Sequence, residues 1–258
     1  MDSSTGLIIM GHGTKDQRGR LEFLRFVAAL RFLLGQEGIK QDRICYAYLE
    51  AAKPDLVQSM ERLLMVGVQH IVIAPLFLAS AGHMKKDIPM LLQECQAVHP
   101  YVTFSLLESF GVDAHVKQAL LDRFQPYKKQ TEAVILVCRG SSDVAAYENA
   151  RTIAADLCEA LSGCSVVAAS LYGAGMKLDQ ALSTLYEQGY RKITILPLLL
   201  FHGLLLKTIA DMVANFQERD HDVTVDVTEY LGVHPALLTQ KREQIVPMMR
   251  RDFHEVCQ

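Results

Sequence analysis

The sequence lacks the patterns that would tie it to a membrane, a dinucleotide or ATP. No apolar run approaches the roughly 18 residues that a membrane-spanning helix needs. Gly11 and Gly13 begin a glycine-rich turn, but Asp16 stands where a dinucleotide-binding fingerprint requires a third glycine. No GxxxxGK loop followed by Ser or Thr occurs, so ATP use has no support in the sequence.

Cysteine pairs and a strong net charge are also missing. None of the six cysteines forms a CxxC pair, so their spacing does not predict a zinc site or an iron–sulfur cluster. Free thiols and an N-terminus without a basic region, "MDSSTG", favour a cytoplasmic protein. A net charge of −3 does not suggest a nucleic-acid binder, so local basic groups must hold any anionic substrate.

Short apolar runs alternate with helical patterns along the whole chain. Gly6–Gly11, "GLIIMG", precedes a helix predicted over about 18–34, and three more strand–helix units follow it. Continuous apolar strands with helical connections predict an α/β fold in which helices cover parallel sheets on both faces.

The order then restarts, which indicates an internal repeat. "GVQHIVIAPLFLASAGHMKKDI" aligns with "GYRKITILPLLLFHGLLLKTIA", so that Pro75 aligns with Pro197. The sequence therefore predicts two similar lobes, residues 1–126 and 132–258, each a parallel sheet flanked by helices. The cleft between such lobes is the expected ligand site.

Three titratable residues follow successive strands of the first lobe. His12 ends the first strand, Glu50 ends the second, and His83 follows the third. Because the carboxyl ends of parallel strands share one edge of a sheet, these side chains are expected to converge. Two imidazoles and a carboxylate suit a divalent first-row metal, or proton transfer near neutral pH. Each residue taken alone also has a structural interpretation, such as a hydrogen-bonded histidine or a helix-capping carboxylate.

Glycines and lysines surround these three positions. Gly11, Gly13 and Gly82 leave space for a bulky ligand to approach the backbone. Lys85 and Lys86 are candidates for binding acidic groups on that ligand.

The second lobe repeats the fold without the three residues. His12 aligns with Arg139, Glu50 with Tyr172 and His83 with Leu205, whereas Lys85 keeps a counterpart in Lys207. This pattern favours a function confined to the first lobe, with Arg139 able to bind a carboxylate. His202 is out of register with His83, and we interpret it as structural or as lining the rim of the site.

Taken together, "GHGTKD", "YLEAAKPDL", "PLFLASAGHMKKDIP" and "YLGVHPAL" resemble the sirohydrochlorin chelatases over nearly the whole chain. These ATP-independent enzymes insert cobalt or iron into a tetrapyrrole, and the resemblance is to the two-lobed bacterial form. It implies a chelatase-like fold with His12 and His83 as the active-site histidines and metal ligands, and with Glu50 as the strand-two carboxylate.

The resemblance also implies the substrates and partners. The expected partners are sirohydrochlorin and a divalent metal, with Co²⁺ or Fe²⁺ as a substrate and no permanently bound cofactor. Candidates for binding the substrate's carboxylates are Lys85, Lys86, Arg139 and Lys207. A monomer is expected because both lobes are in one chain. The terminal "RRDFHEVCQ" lacks the histidine-rich region and cysteine-bound cluster of some cobalt enzymes, which slightly favours iron.

Two other functions remain open at the level of sequence. Phosphatases with a phosphohistidine intermediate place Arg-His-Gly after the first strand, whereas Gly11 precedes His12 here. A non-catalytic carrier of tetrapyrrole or metal would need the same ligand-binding residues but would show no turnover.

Overall fold

The computed structural model describes residues 4–79, 86–161 and 164–251. The chain forms two compact units. Unit 1 comprises Met1–Phe110 and Leu237–Gln258, and unit 2 comprises Gly111–Ala236. None of the helices in the described ranges is both long enough and apolar enough to cross a lipid bilayer.

Strands and helices alternate in both halves of the chain. The first half contains β1 (Thr5–Gly11), α1 (Gln17–Gln36), β2 (Ile44–Tyr48), α2 (Leu56–Met65), β3 (His70–Pro75), α3 (Ile88–Val98), β4 (Thr103–Leu106) and α4 (Ala114–Phe124). The second half contains β5 (Ala133–Cys138), α5 (Val144–Ala160), β6 (Ser165–Ser170), α6 (Leu178–Glu187), β7 (Lys192–Leu198), α7 (Leu204–Arg219), β8 (Thr224–Val227) and α8 (Pro235–Arg250).

Both units contain a four-stranded parallel sheet with the same strand order. The order is β2-β1-β3-β4 in unit 1 and β6-β5-β7-β8 in unit 2. Met10 pairs with Pro75 across β1 and β3, and Val137 pairs with Pro197 across β5 and β7. The predicted α/β fold of two similar sheets is therefore confirmed, and the register supports the alignment of Pro75 with Pro197.

The sequence of β1 explains why it lies at the centre of its sheet. Every residue of β1 is buried, and Leu7, Ile8, Ile9 and Met10 are completely inaccessible to solvent. Since successive side chains of a strand point to opposite faces, both faces of the sheet must be covered. The central strand is therefore a continuous apolar run.

Aspartates fix the beginnings of several helices. Asp16 accepts a hydrogen bond from the backbone nitrogen of Gly19 at 2.7 Å, and Asp143 accepts one from Ala145 at 3.0 Å. Each bond satisfies a donor that the first turn of a helix leaves without an intrahelical partner. Asp16 therefore fixes where α1 begins, and the loop between β1 and α1 is only a few residues long.

Each unit is completed by a helix from the other half of the sequence. In unit 1, Lys241 of α8 donates to the carbonyl oxygen of Glu108 at 2.7 Å, and Gln240 donates to that of Phe110 at 2.8 Å. In unit 2, Arg123 of α4 donates to the carbonyl oxygen of Leu231 at 2.9 Å. The compact units thus differ from the predicted lobes 1–126 and 132–258, because α4 belongs to unit 2 and α8 to unit 1.

His70 is a buried polar residue at the start of β3. Its side chain is 4% exposed, and its Nδ1 lies 2.7 Å from Oγ1 of Thr103 on β4. Burial lowers the pKa of the His70 imidazole from 6.5 to about 4, because the charged form would lose its hydration. The folded protein therefore keeps this imidazole neutral in mildly acidic solution.

We expect this shift to make unit 1 less stable as the pH falls from 6.5 to 4. In that window the unfolded chain binds a proton that the folded chain does not, so the free energy of unfolding decreases by up to about 3 kcal/mol. Urea titrations of wild type and His70→Gln across pH 4–7 measure the effect. The wild type should lose stability relative to His70→Gln as the pH falls, because only the wild type carries the shifted imidazole. A difference in the free energy of unfolding that stays constant across this pH range would contradict the prediction.

Candidate active site

The strand order of unit 1 creates a crevice at the carboxyl ends of two central strands. The chain leaves β1 towards β2 on one side of the sheet, while β3 and β4 lie on the other side. In open parallel sheets, ligands bind outside the carboxyl ends of the strands at such a change of direction. His12 is the first residue after β1 and therefore lies at this position.

Two backbone hydrogen bonds join the loop after β1 to the loop after β2. The backbone nitrogen of Leu49 donates to the carbonyl oxygen of Gly11 at 2.8 Å, and that of Glu50 donates to His12 at 2.9 Å. These bonds extend the pairing of the two parallel strands beyond their ends. The side chains of His12 and Glu50 consequently leave the backbone at neighbouring positions.

His12 and Glu50 form a side-chain pair. Nδ1 of His12 lies 3.4 Å from Oε1 of Glu50, and the two side chains are 36% and 57% exposed. A carboxylate beside one imidazole nitrogen favours a proton on that nitrogen and orients the ring. The pair thus combines a group that can accept a proton or bind a metal with a carboxylate close to one of its ring nitrogens.

Two phenylalanines pack near the end of β1, one against His12 and one against Gly11, and were not identified from the sequence. The Phe77 ring meets the His12 ring edge-on, with ring centroids 6.2 Å apart. Phe23 of α1 packs against Gly11, where an added Cβ would lie 2.6 Å from the Phe23 ring. Phe77 follows Pro75 in an apolar run, and this pattern indicates burial but not contact with a particular side chain.

The structure gives Gly11 and Gly13 a role in packing within the protein. Gly13 has φ +95°, and an added Cβ would lie 1.8 Å from the carbonyl oxygen of Glu50. A side chain at position 13 would therefore collide with backbone and separate the two loops. Gly13 is therefore needed to bring the loops of His12 and Glu50 together, whereas Gly11 makes room for the Phe23 ring. The proposed contact of both glycines with a ligand remains a prediction.

The other predicted residues of the first half are only partly described. His83, Gly82 and Lys85 lie outside the described residues, so their place relative to His12 remains a prediction. Lys86 is exposed just before α3. Within residues 4–79, 86–161 and 164–251, no group of three or more His, Cys, Asp or Glu side chains is arranged to hold a metal.

Unit 2 repeats the paired loops with different side chains. The backbone nitrogen of Tyr172 donates to the carbonyl oxygen of Arg139 at 3.0 Å, and that of Leu171 donates to Cys138 at 3.1 Å. These bonds match those of Glu50 and Leu49 in unit 1. Arg139 therefore occupies the place of His12, and Tyr172 occupies the place of Glu50, as the alignment of the repeats predicts.

The remaining candidates of the second half lie near β7. Lys207 is exposed on α7. His202 is half-buried before α7, with its ring edge-on to Tyr230 at a centroid distance of 6.4 Å. This packing agrees with a structural interpretation of His202.

Comparison with known proteins supports the internal repeat. The CbiX family model matches the chain twice, over residues 6–127 and over residues 133–246. The two matches follow the halves of the sequence and not the compact units, because each half carries its own fourth helix.

Proteins similar to this chain include chelatases that are named for cobalt and chelatases that are named for iron. A sirohydrochlorin cobaltochelatase of Priestia megaterium is 27% identical over 245 residues, which cover 92% of this chain and 78% of that protein. A sirohydrochlorin ferrochelatase of the same organism is 28% identical over 240 residues, which cover 92% of this chain and 88% of that one. The structure "SirB from Bacillus subtilis with Fe3+" aligns with a TM-score of 0.83 at 24% identity, covering 95% of this chain and 96% of that chain. This last likeness concerns the fold.

Proposed function

The chain belongs to the CbiX family, and from this premise we propose that it inserts Co²⁺ or Fe²⁺ into sirohydrochlorin. The observation that carries the proposal is the His12–Glu50 pair at the carboxyl end of the central strand β1. The reaction exchanges two pyrrole N–H protons for one metal ion, so the site must accept protons and deliver a divalent cation.

We assign the proton and metal chemistry to the first half of the chain. In its neutral form, the His12 imidazole can accept a pyrrole proton or bind the incoming metal at neutral pH. Glu50 orients the imidazole and stabilises the charge that the ring gains with a proton or a metal. His83 is proposed as the second histidine and metal ligand on the basis of the sequence.

Basic residues are proposed to bind the carboxylates of the macrocycle. The candidates are Lys85 and Lys86 before α3, Arg139 after β5 and Lys207 on α7, together with the backbone at Gly11, Gly13 and Gly82. Lys86, Arg139 and Lys207 are exposed, which leaves their charges accessible to an anionic ligand. The metal enters as a substrate, and the proposal requires no resident cofactor.

One assay separates this function from the two alternatives. Sirohydrochlorin and metal are mixed with the protein without oxygen, and the visible spectrum is followed. A chelatase changes the spectrum over many turnovers, whereas a carrier changes it only in proportion to protein and a phosphatase leaves it unchanged. Release of phosphate from a phosphoester, with no metal insertion, would overturn the proposal.

We also expect the enzyme to accept both metals. Imidazole and carboxylate ligands suit Fe²⁺ and Co²⁺ alike, so ligand type alone gives the site little basis for choice. Initial insertion rates should differ by less than about 100-fold, which corresponds to less than about 3 kcal/mol of barrier. Side-by-side anaerobic rates measure this ratio, and a preference beyond about 1,000-fold would mean that the pocket selects by geometry.

A monomer remains part of the proposal because the chain carries both halves of the repeat. Light scattering coupled to size-exclusion chromatography would test it, with a mass near 28.8 kDa expected.

A further inference from the structure

The paired loops of unit 2 keep the backbone of the unit 1 site but carry a different pair of side chains. The hydrogen bond from Tyr172 to Arg139 has the same place as the one from Glu50 to His12. In unit 1, side chains at these positions approach to 3.4 Å. A guanidinium and a phenol therefore leave the backbone where an imidazole and a carboxylate meet in the other unit.

The two loops that carry this pair pack closely against each other. Gly140 has φ +82°, and an added Cβ would lie 1.9 Å from the carbonyl oxygen of Tyr172. Gly173 has φ +68°, and an added Cβ would lie 2.2 Å from the carbonyl oxygen of Ser141. The Lys177 ammonium group also donates to the Gly173 carbonyl oxygen. These contacts allow only glycine at positions 140 and 173, so they define the backbone from which Arg139 and Tyr172 project.

Both side chains are accessible and have unused donors. Tyr172 is 52% exposed and Arg139 is also exposed. Within the described ranges, neither the Arg139 guanidinium nor the Tyr172 hydroxyl makes a hydrogen bond or ion pair with the protein. The guanidinium offers five N–H donors and the phenol offers one O–H donor, which together match the acceptors of a carboxylate.

We propose that Arg139 and Tyr172 form a carboxylate-binding site in unit 2. The inference rests on the proposed function, from which we take the ligand to be a carboxylate side chain of sirohydrochlorin. The loss of His12 and Glu50 equivalents in the second half is then a conversion from metal and proton chemistry to anion recognition. From the sequence, Tyr172 showed only that the second half lacks a counterpart of the Glu50 carboxylate. In this proposal Tyr172 is a binding residue.

Binding of metal-free sirohydrochlorin tests the site without requiring turnover. The tetrapyrrole's own fluorescence reports its Kd for wild type, Arg139→Gln and Tyr172→Phe. We expect the Kd to rise about tenfold in R139Q and about threefold in Y172F, because each variant loses donors to a charged acceptor. Added salt should weaken binding to wild type more than binding to R139Q. Arg151→Gln, which removes an exposed arginine paired with Glu148 on α5, is the matched control and should keep the wild-type Kd.

The possible outcomes separate this inference from the proposed function. If wild type binds sirohydrochlorin and inserts metal while R139Q and Y172F keep its Kd, the carboxylate site is wrong and the chelatase function stands. If wild type neither binds nor metallates sirohydrochlorin, both proposals fail. Equal weakening in R151Q would show a general effect of charge and would also overturn the site. Urea midpoints of the variants verify that they are folded.

Discussion

Replacing His12 by alanine is expected to lower the rate of metal insertion by about 100-fold or more, since a positioned proton acceptor contributes roughly that factor. In the proposed function, the imidazole accepts the pyrrole proton or binds the metal, and Glu50 cannot substitute for it from its position beside the ring. Glu50→Gln should cost less, about tenfold, because the amide keeps a hydrogen-bond acceptor but loses the charge. His83→Ala should behave like His12→Ala. Anaerobic initial rates, corrected for spontaneous insertion, measure these effects.

The control for His12 is another histidine of intermediate exposure. His202 packs against the Tyr230 ring, and His202→Ala should retain most of the wild-type rate. Because His12 is partly exposed and its neighbouring glycines set the backbone, His12→Ala should fold with a urea midpoint close to that of wild type. A folded His12→Ala protein that inserts metal at the wild-type rate would show that the site is elsewhere.

Replacing Lys241 by methionine is expected to lower the free energy of unfolding by about 3 kcal/mol, as is typical when a buried charged group with good partners is removed. Lys241 is completely buried on α8, and its ammonium group donates to the Glu108 carbonyl oxygen at 2.7 Å and to Oε1 of Gln244 at 2.9 Å. The same group lies 4.5 Å from the centre of the Phe110 ring. Methionine fills similar volume but leaves those acceptors without a donor.

Urea unfolding at neutral pH measures this loss, with the midpoint falling at an unchanged slope. Lys129→Met removes an exposed lysine and should shift the midpoint by no more than a few tenths of a kcal/mol. Equal midpoints for Lys241→Met and wild type would mean that apolar packing of α8 fully replaces the buried ammonium group.

The central part of each sheet and the His12–Glu50 pair could be predicted from the sequence. The residues of β1 form a continuous apolar run, and a strand buried on both faces requires this pattern. Parallel strands share one edge for their carboxyl ends, so residues directly after β1 and β2 had to be neighbours. The alignment of the repeats also matched Arg139 with His12. The structure agrees, because the same backbone hydrogen bond joins position 50 to position 12 and position 172 to position 139.

The assignment of α4 and α8 to units could not be predicted in the same way. An amphipathic helix shows which of its faces is buried but does not identify the sheet that covers it. Lys241 illustrates the difficulty, since a lysine is usually exposed and nothing in its local sequence indicates a carbonyl acceptor far away in the chain. Phe23 and Phe77 were missed for a related reason. An apolar residue in a sequence indicates that its side chain is buried, but it does not indicate which residue the side chain contacts.

The placement of α8 has a consequence for synthesis of the protein on the ribosome. Unit 2 is one continuous segment, whereas unit 1 needs residues from both sides of that segment. Nascent chains fold as their segments emerge, so unit 2 can complete its fold before α8 has been translated. At that stage Lys241 and Gln240 are not yet present to donate to the carbonyl oxygens of Glu108 and Phe110, respectively. Unit 1, whose strands are translated first, is therefore expected to finish folding last, and a translation arrest before α8 would leave it without the donors of α8 although unit 2 is complete.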